Sequence, residues 1–150
     1  MKNRILAALF LVFIAAQPLY AGNSLSKAAI SGDLESVKEI VKSGEGVNDI
    51  DKWGWTALMW SVYYGNIPVA KWFLEKGANP DLKTEKEYGS YLPGTTALIL
   101  AASYGHHEAV DALLKKKADA KYVDRKGKKA IDYAREYQFD SCVSLLERSK

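Results

Sequence analysis

Asp51–Lys83 reads DKWGWTALMWSVYYGNIPVAKWFLEKGANPDLK, and Gly94–Val123 reads GTTALILAASYGHHEAVDALLKKKADAKYV. Laid over one another, they pair Gly54 with Gly94, Thr56-Ala57-Leu58 with Thr96-Ala97-Leu98, and Gly65 with Gly105. Val69, Phe73 and Leu74 fall on Ala109, Leu113 and Leu114, and Ala78-Asn79 falls on Ala118-Asp119, with no gap. Self-similarity at a fixed period marks a chain of stacked units, none of which can bury its apolar face alone. The template extends upstream through Leu25, Ala28-Ala29, Gly32, Val37, Ile40-Val41, Gly44 and Val47-Asn48. Downstream it continues through Asp124, Gly127, Ala130-Ile131, Ala134, Val143 and Leu146.

Each matched residue has a physical job. Thr56 and Thr96 stand where a helix N-cap belongs, their hydroxyls able to accept an otherwise unpaired N–H, and Asn23 takes that place in the first copy. Gly32, Gly65 and Gly105 follow the first helix of each unit, and Gly44 and Gly77 the second, where a left-handed residue ends a helix. Leu58 and Val62, like Leu98, Ala101 and Ala102, set an apolar stripe at spacings of three and four. The alanines let neighbouring helices come close.

Four such copies resemble the ankyrin repeat, D-x-x-G-x-T-P-L-H-x-A-A followed by a glycine, a second helix and G-A-D. The resemblance implies an all-α solenoid of stacked helix-turn-helix units with β-hairpin fingers between them. It spans residues 22–150, with repeats at about 22–50, 51–83, 84–123 and 124–150. The departures are local. Ala57 and Met59, Ala97 and Ile99, and Ala130 and Asp132 replace the motif's proline and histidine, and Lys117 and Gln138 stand where glycine is expected. Gly54 to Gly94 is seven residues longer than the repeat. The extra residues fall within KTEKEYGSYLPGT, which is expected to lengthen one finger and carry Tyr88 and Tyr91 outward.

In ankyrin proteins the partner usually meets the finger tips and the open face of the first helix. Carried onto this chain, those positions are Lys52, Trp53, Trp55, Tyr63 and Tyr64 in the second copy. The third contributes Leu92, Pro93, Thr95, Ser103 and Tyr104, and the fourth Arg125, Lys126, Lys128, Glu136 and Tyr137. Trp53 and Trp55 flank Gly54 at period two, so an extended finger points both indoles to one side. They are expected either to anchor a partner, as aromatic rings often do, or to be covered by Tyr88 or Tyr91. Trp60 and Trp72 fall at inter-helix positions and read as core.

The remaining candidates read as structural. His106 and His107 are adjacent, and residues i and i+1 do not share a helical face, so they do not form a metal site by themselves. The lone Cys142 aligns with Val69 and Ala109 and is expected to pack as a small apolar group. Lys115, Lys116 and Lys117, with Lys121, Arg125, Lys126, Lys128 and Lys129, form a basic end, either a solvated cap or a contact for an acidic partner or anionic lipid. No phosphate-cradling loop, metal-spaced cluster or nucleophile–base pair is visible, so neither an enzyme nor a bound cofactor is expected.

The first twenty-one residues read differently. Lys2 and Arg4 precede an unbroken apolar run, Ile5–Ala16, then Pro18 and a small residue, Ala21, before Gly22. That is the layout of a secretory signal peptide, with an uncleaved anchor as the alternative, and the run is short of the roughly twenty residues a spanning helix needs. The expectation is an exported chain, periplasmic in a diderm bacterium and otherwise secreted. Residues 22–114 carry eight basic and twelve acidic residues, and residues 115–150 eleven and six. So small a net charge argues against nucleic-acid binding. The expected partner is another protein met by a chain that is monomeric on its own, with membrane-surface contact as a lesser possibility. Fold-level analogy adds a stress-defence accessory or a neutraliser of a toxin.

Overall fold

The computed structural model describes residues 23–87 and 93–149. The leader expected at residues 1–21, and Tyr88, Tyr91 and Leu92 in the long connection, lie outside the described residues. The described residues form eight helices in four antiparallel pairs: α1 (Ser24–Ser31) with α2 (Leu34–Lys42), α3 (Ala57–Tyr63) with α4 (Ile67–Glu75), α5 (Ala97–Ser103) with α6 (His107–Lys115), and α7 (Ala130–Glu136) with α8 (Asp140–Arg148). The shorter α1, α3, α5 and α7 stack as an inner row, and α2, α4, α6 and α8 as an outer one. Each pair touches mainly the next, which makes the molecule a quasi-linear solenoid.

The caps fall where the repeat placed them. Asn23 accepts the Ser26 N–H, Thr56 that of Met59 and Thr96 that of Ile99, at 2.8–3.3 Å. In the fourth copy Lys129 offers no such acceptor. There Asp132, three residues on, accepts the Lys129 N–H at 2.8 Å. Lys117 and Gln138 adopt left-handed backbone with φ of 63° and 60°, the conformation their glycine counterparts take.

The β-hairpin fingers expected between repeats are not present. Among the described residues there is no strand, only an isolated antiparallel bridge between Ile50 and Thr56. The physical reason is the aspartate at the head of the turn. The Asp51 carboxylate accepts the backbone N–H groups of Trp53 and Trp55 at 2.8 and 3.0 Å. The Asp51 N–H donates to the Trp55 carbonyl, and Gly54 at φ 75° reverses the chain. With its donors captured by one side chain, the segment closes as a tight turn before a ladder can extend. The Asp124 carboxylate does the same for Lys126 and Lys128. In the third copy Thr84 takes the aspartate's place and accepts from Thr95 through its hydroxyl.

The core runs without interruption from Leu25 to Leu146. Two devices lock one repeat to the next. A backbone N–H of each later loop reaches a side chain of the earlier one: Asn79 to Asn48 at 2.7 Å and Asp119 to Asp81 at 2.9 Å. The second is a knob on a bare backbone. Asn66, His106 and Phe139 hold one register position, and each seats on the glycine that follows the preceding inner helix: Gly32, Gly65 and Gly105. A Cβ at Gly32 would lie 2.8 Å from the Asn66 side-chain Oδ1, and one at Gly105 would lie 2.7 Å from the Phe139 ring, closer than packed atoms sit. Asn66 also donates its amide to the Ala29 and Ile30 carbonyls, satisfying acceptors that the end of α1 leaves open.

Candidate interaction face

The aromatic residues of the second copy divide into two sets. Trp55, Trp60 and Tyr63 are buried. Trp55 and Trp60 lie with ring centroids 4.4 Å apart, and Tyr63 meets both edge-on at 5.5 and 6.0 Å. A buried ring of this size is worth roughly 4–6 kcal/mol of transfer free energy at about 25 cal/mol/Å². The Trp60 indole N–H donates to the Asp51 carboxylate at 2.7 Å, tying the turn to the core. The fourth copy repeats this pairing, with the Tyr133 hydroxyl donating to Asp124. Burial, together with that bond, pushes the Tyr133 phenol well above its ordinary pKa.

Two expectations are corrected here. Trp55 does not share a side with Trp53, because Gly54 reverses the backbone between them and breaks the alternation of an extended strand. Trp55 therefore belongs to the core, with no exposed area, while Trp53 is half-buried at the turn with the Lys52 ammonium 5.2 Å from its ring centroid. Tyr63 is 5% exposed and supports the face from beneath. Of the two tryptophans read as core, Trp60 is buried. Trp72 is half-buried, with Lys76 over its ring at 5.8 Å.

The second set is a row. Tyr64, Tyr104 and Tyr137 are the C-cap residues of α3, α5 and α7, one tyrosine in each of three successive repeats. Tyr64 and Tyr104 are half-buried, and Tyr137 is exposed. The rings are joined through their neighbours. Tyr63 lies 5.1 Å from both Tyr64 and Tyr104, Tyr104 stacks on His106 at 6.0 Å, and Tyr137 stacks on Tyr133 at 6.4 Å. At the other end of the inner helices stand the turns, with Lys52, Arg125 and Lys126 exposed at their tips. Lys128 is half-buried and bridges the two edges through its ion pair with Glu136, which holds its ammonium above the usual lysine pKa.

The residues read as structural take such places. Cys142 is fully buried, and burial pushes its thiol pKa up to about 11. His106 is the knob on Gly65, its pKa lowered chiefly by burial and further by the neighbouring His107. A depression between α6 and α8 is lined by Gly105, His107, Gln138, Phe139, Asp140, Ser141 and Cys142, but no hydrogen bond joins His107 to Ser141 or to the buried Cys142 thiol. No group of three or more His, Cys, Asp or Glu among the described residues is arranged to hold a metal ion. No helix among them is long and apolar enough to cross a membrane. The knobs and the Asp51–Trp60 and Asp124–Tyr133 bonds were missed from sequence. Their signal was there in the shared register of Asn66, His106 and Phe139, and of Trp60 and Tyr133.

The family model described as Ankyrin repeats (3 copies) matches residues 10–84 and 83–149. The chain belongs to the ankyrin repeat family. It is similar to proteins named Ankyrin repeat, SAM and basic leucine zipper domain-containing protein 1. Identity is 29% over 128 residues in Microcebus murinus, and 31% over 116 residues in both Oryctolagus cuniculus and Rhinolophus ferrumequinum. These matches cover 82%, 74% and 74% of this chain and 25%, 23% and 22% of the relatives, so the chain spans about a quarter of their length. Ankyrin repeats are characteristically non-catalytic modules that mediate contacts between proteins, and this chain is a protein-binding module of that kind.

Proposed function

We propose that the chain is exported and that it binds a partner protein across the face bounded by the turn tips and the tyrosine row. The observation that carries the reading is the recurrence of tyrosine at the inner-helix C-cap in three consecutive repeats. Ending the helix does not call for tyrosine, because the left-handed residue that follows each one, Gly65, Gly105 or Gln138, turns the chain. A tyrosine on a rigid stack offers a large contact area with few rotamers to freeze, which suits an interface. Trp53 and the cations Lys52, Arg125 and Lys126 complete the face at its turn edge. Export is supported by the order of charge, apolar run and small residue over Lys2–Ala21, and it would place the module in the periplasm of a diderm bacterium.

The test is cross-linked affinity purification from the native host's envelope with mass spectrometry, run with the wild-type chain and with Tyr104→Ser/Tyr137→Ser. The variant should keep its helical circular dichroism and lose the specific partner. Recovery of the same proteins by both chains refutes the proposed face. Recovery of the chain from the cytoplasmic fraction with Met1 to Ala21 intact refutes export.

A further inference from the structure

Charge is unevenly sorted in this stack. On the outer helices most lysines are matched by acids, Lys38 with Glu35, Lys71 with Glu108 and Lys115 with Asp111, at 2.7–3.1 Å, with Lys42 outside any ion pair among the described residues. The turns that lead into the inner helices are different. Lys52, Arg125, Lys126 and Lys129 are exposed and enter none of the ion pairs among the described residues. Asp51 and Asp124, beside Lys52 and Arg125, are buried and saturated from within the turn, while Asp132, three residues past Lys129, accepts the Lys129 N–H. Asp51 takes the Trp53, Trp55 and Trp60 donors, and Asp124 takes Lys126 N–H, Lys128 N–H and the Tyr133 hydroxyl. The fold thus draws the anions inward and leaves the cations at the tips. Only the third turn breaks the pattern, with Glu85 and Glu87 exposed beside Lys86.

Packing does not call for these cations. The two tip positions of such a turn accept most residue types, and like charges held at one edge repel one another and weaken the fold. Tyr137, the most exposed ring of the tyrosine row at 38%, closes the same repeat at the far end of the seven-residue α7 from Arg125, Lys126 and Lys129, a span that an extended segment can cover. An arginine fork matches a carboxylate with two parallel hydrogen bonds, and unpaired cations at a rim raise the rate of encounter with an anion.

We infer that the partner meets the fourth repeat with an acidic, extended protein segment. Its carboxylates lie on Arg125, Lys126 and Lys129, and an apolar or aromatic side chain lies against Tyr137. The inference rests on the binding-face reading above and specifies the chemistry of what that face receives.

The test is fluorescence anisotropy of the whole chain with labelled peptides of about twelve residues, one alternating glutamate with leucine and phenylalanine, one with lysine in place of glutamate, and one with serine. Vesicles of phosphatidylglycerol are titrated in parallel. The acidic peptide should bind, the lysine peptide should not, and raising salt from about 50 to about 300 mM should weaken binding by about tenfold or more. Arg125→Glu/Lys126→Glu should weaken it by at least about tenfold without shifting the melting temperature, while Lys115→Glu/Lys116→Glu should leave it within about twofold. Equal or tighter binding of the serine or lysine peptide overturns the inference, as does indifference to charge reversal at Arg125 and Lys126. Vesicle binding that is lost on that reversal, without binding of the acidic peptide, assigns the edge to a membrane surface and overturns it too. If no peptide binds but the envelope partner is still captured, and captured equally by Arg125→Glu/Lys126→Glu, the acidic segment is refuted and the binding face stands. If neither peptide nor partner is bound, the face itself falls.

Discussion

Replacing Asp51 by alanine removes the acceptor for three donors at once. The Trp53 N–H lies on an open turn and recovers a water. The Trp55 N–H and the Trp60 indole N–H belong to buried residues and recover nothing without distortion. A buried donor left without its acceptor costs about 1–3 kcal/mol, so the two together set a loss of about 2–6 kcal/mol. A domain of this size holds about 5–15 kcal/mol in all, so Asp51→Ala moves the chain a large part of the way to unfolding. Asp51→Asn keeps one carbonyl oxygen and should lose about half as much. The assay is urea unfolding followed in parallel by tryptophan emission and by helical circular dichroism, with Glu75→Ala as an exposed helical comparison. A loss below about 1 kcal/mol for Asp51→Ala, or one no larger than that of Glu75→Ala, refutes the account of the turn as a buried hydrogen-bonded anchor.

Lys117→Gly should stabilise the chain by about 0.5–1 kcal/mol, since relief of the left-handed strain (about 1–2 kcal/mol) exceeds the extra freedom glycine has when unfolded; a lower urea midpoint would contradict this. Gly105→Ala should lose well over 1 kcal/mol, because the new methyl group meets Phe139, and Gly105→Ala with Phe139→Ala should lose less than the two single changes summed. His106 is neutral in the fold with a pKa below its ordinary 6.5. Its share of stability is therefore complete above about pH 6.5 and declines as pH falls from there through the lowered folded value, and His106→Asn should flatten that decline in urea midpoints. The Cys142 thiol, buried with a pKa near 11, should resist a thiol reagent at neutral pH in the native chain and react fully in guanidinium; rapid native labelling would overturn its place in the core.

Much of this architecture was legible because the repeat states each requirement more than once. Thr56 and Thr96 announced two helix starts at one register, and Lys117 and Gln138 could be recognised as left-handed from the glycines they replace. The fingers were implied by the resemblance alone, and the two-residue period of a strand, laid on Trp53-Gly54-Trp55 within them, misplaced Trp55. Which way a five-residue turn closes depends on where the Asp51 carboxylate points, and that depends on Trp60, nine residues away. The candidate face was legible as a set of positions, but the division of its rings into core and surface was not. Trp55 differs in burial from Trp53 two residues away, and Tyr63 from Tyr64 beside it, a distinction that composition does not carry.

The glycine seats give the stack a direction. Asn66 leans on Gly32, His106 on Gly65 and Phe139 on Gly105, always toward the amino terminus. A repeat trimmed from the carboxyl end leaves behind an empty glycine, which water can cover at little cost. Trimming from the amino end instead strips a knob of its floor and, for Asn66, of two carbonyl partners. Shortened chains should therefore tolerate erosion from one side far better than from the other, as a dry-stone wall survives the loss of its coping but not of its footing.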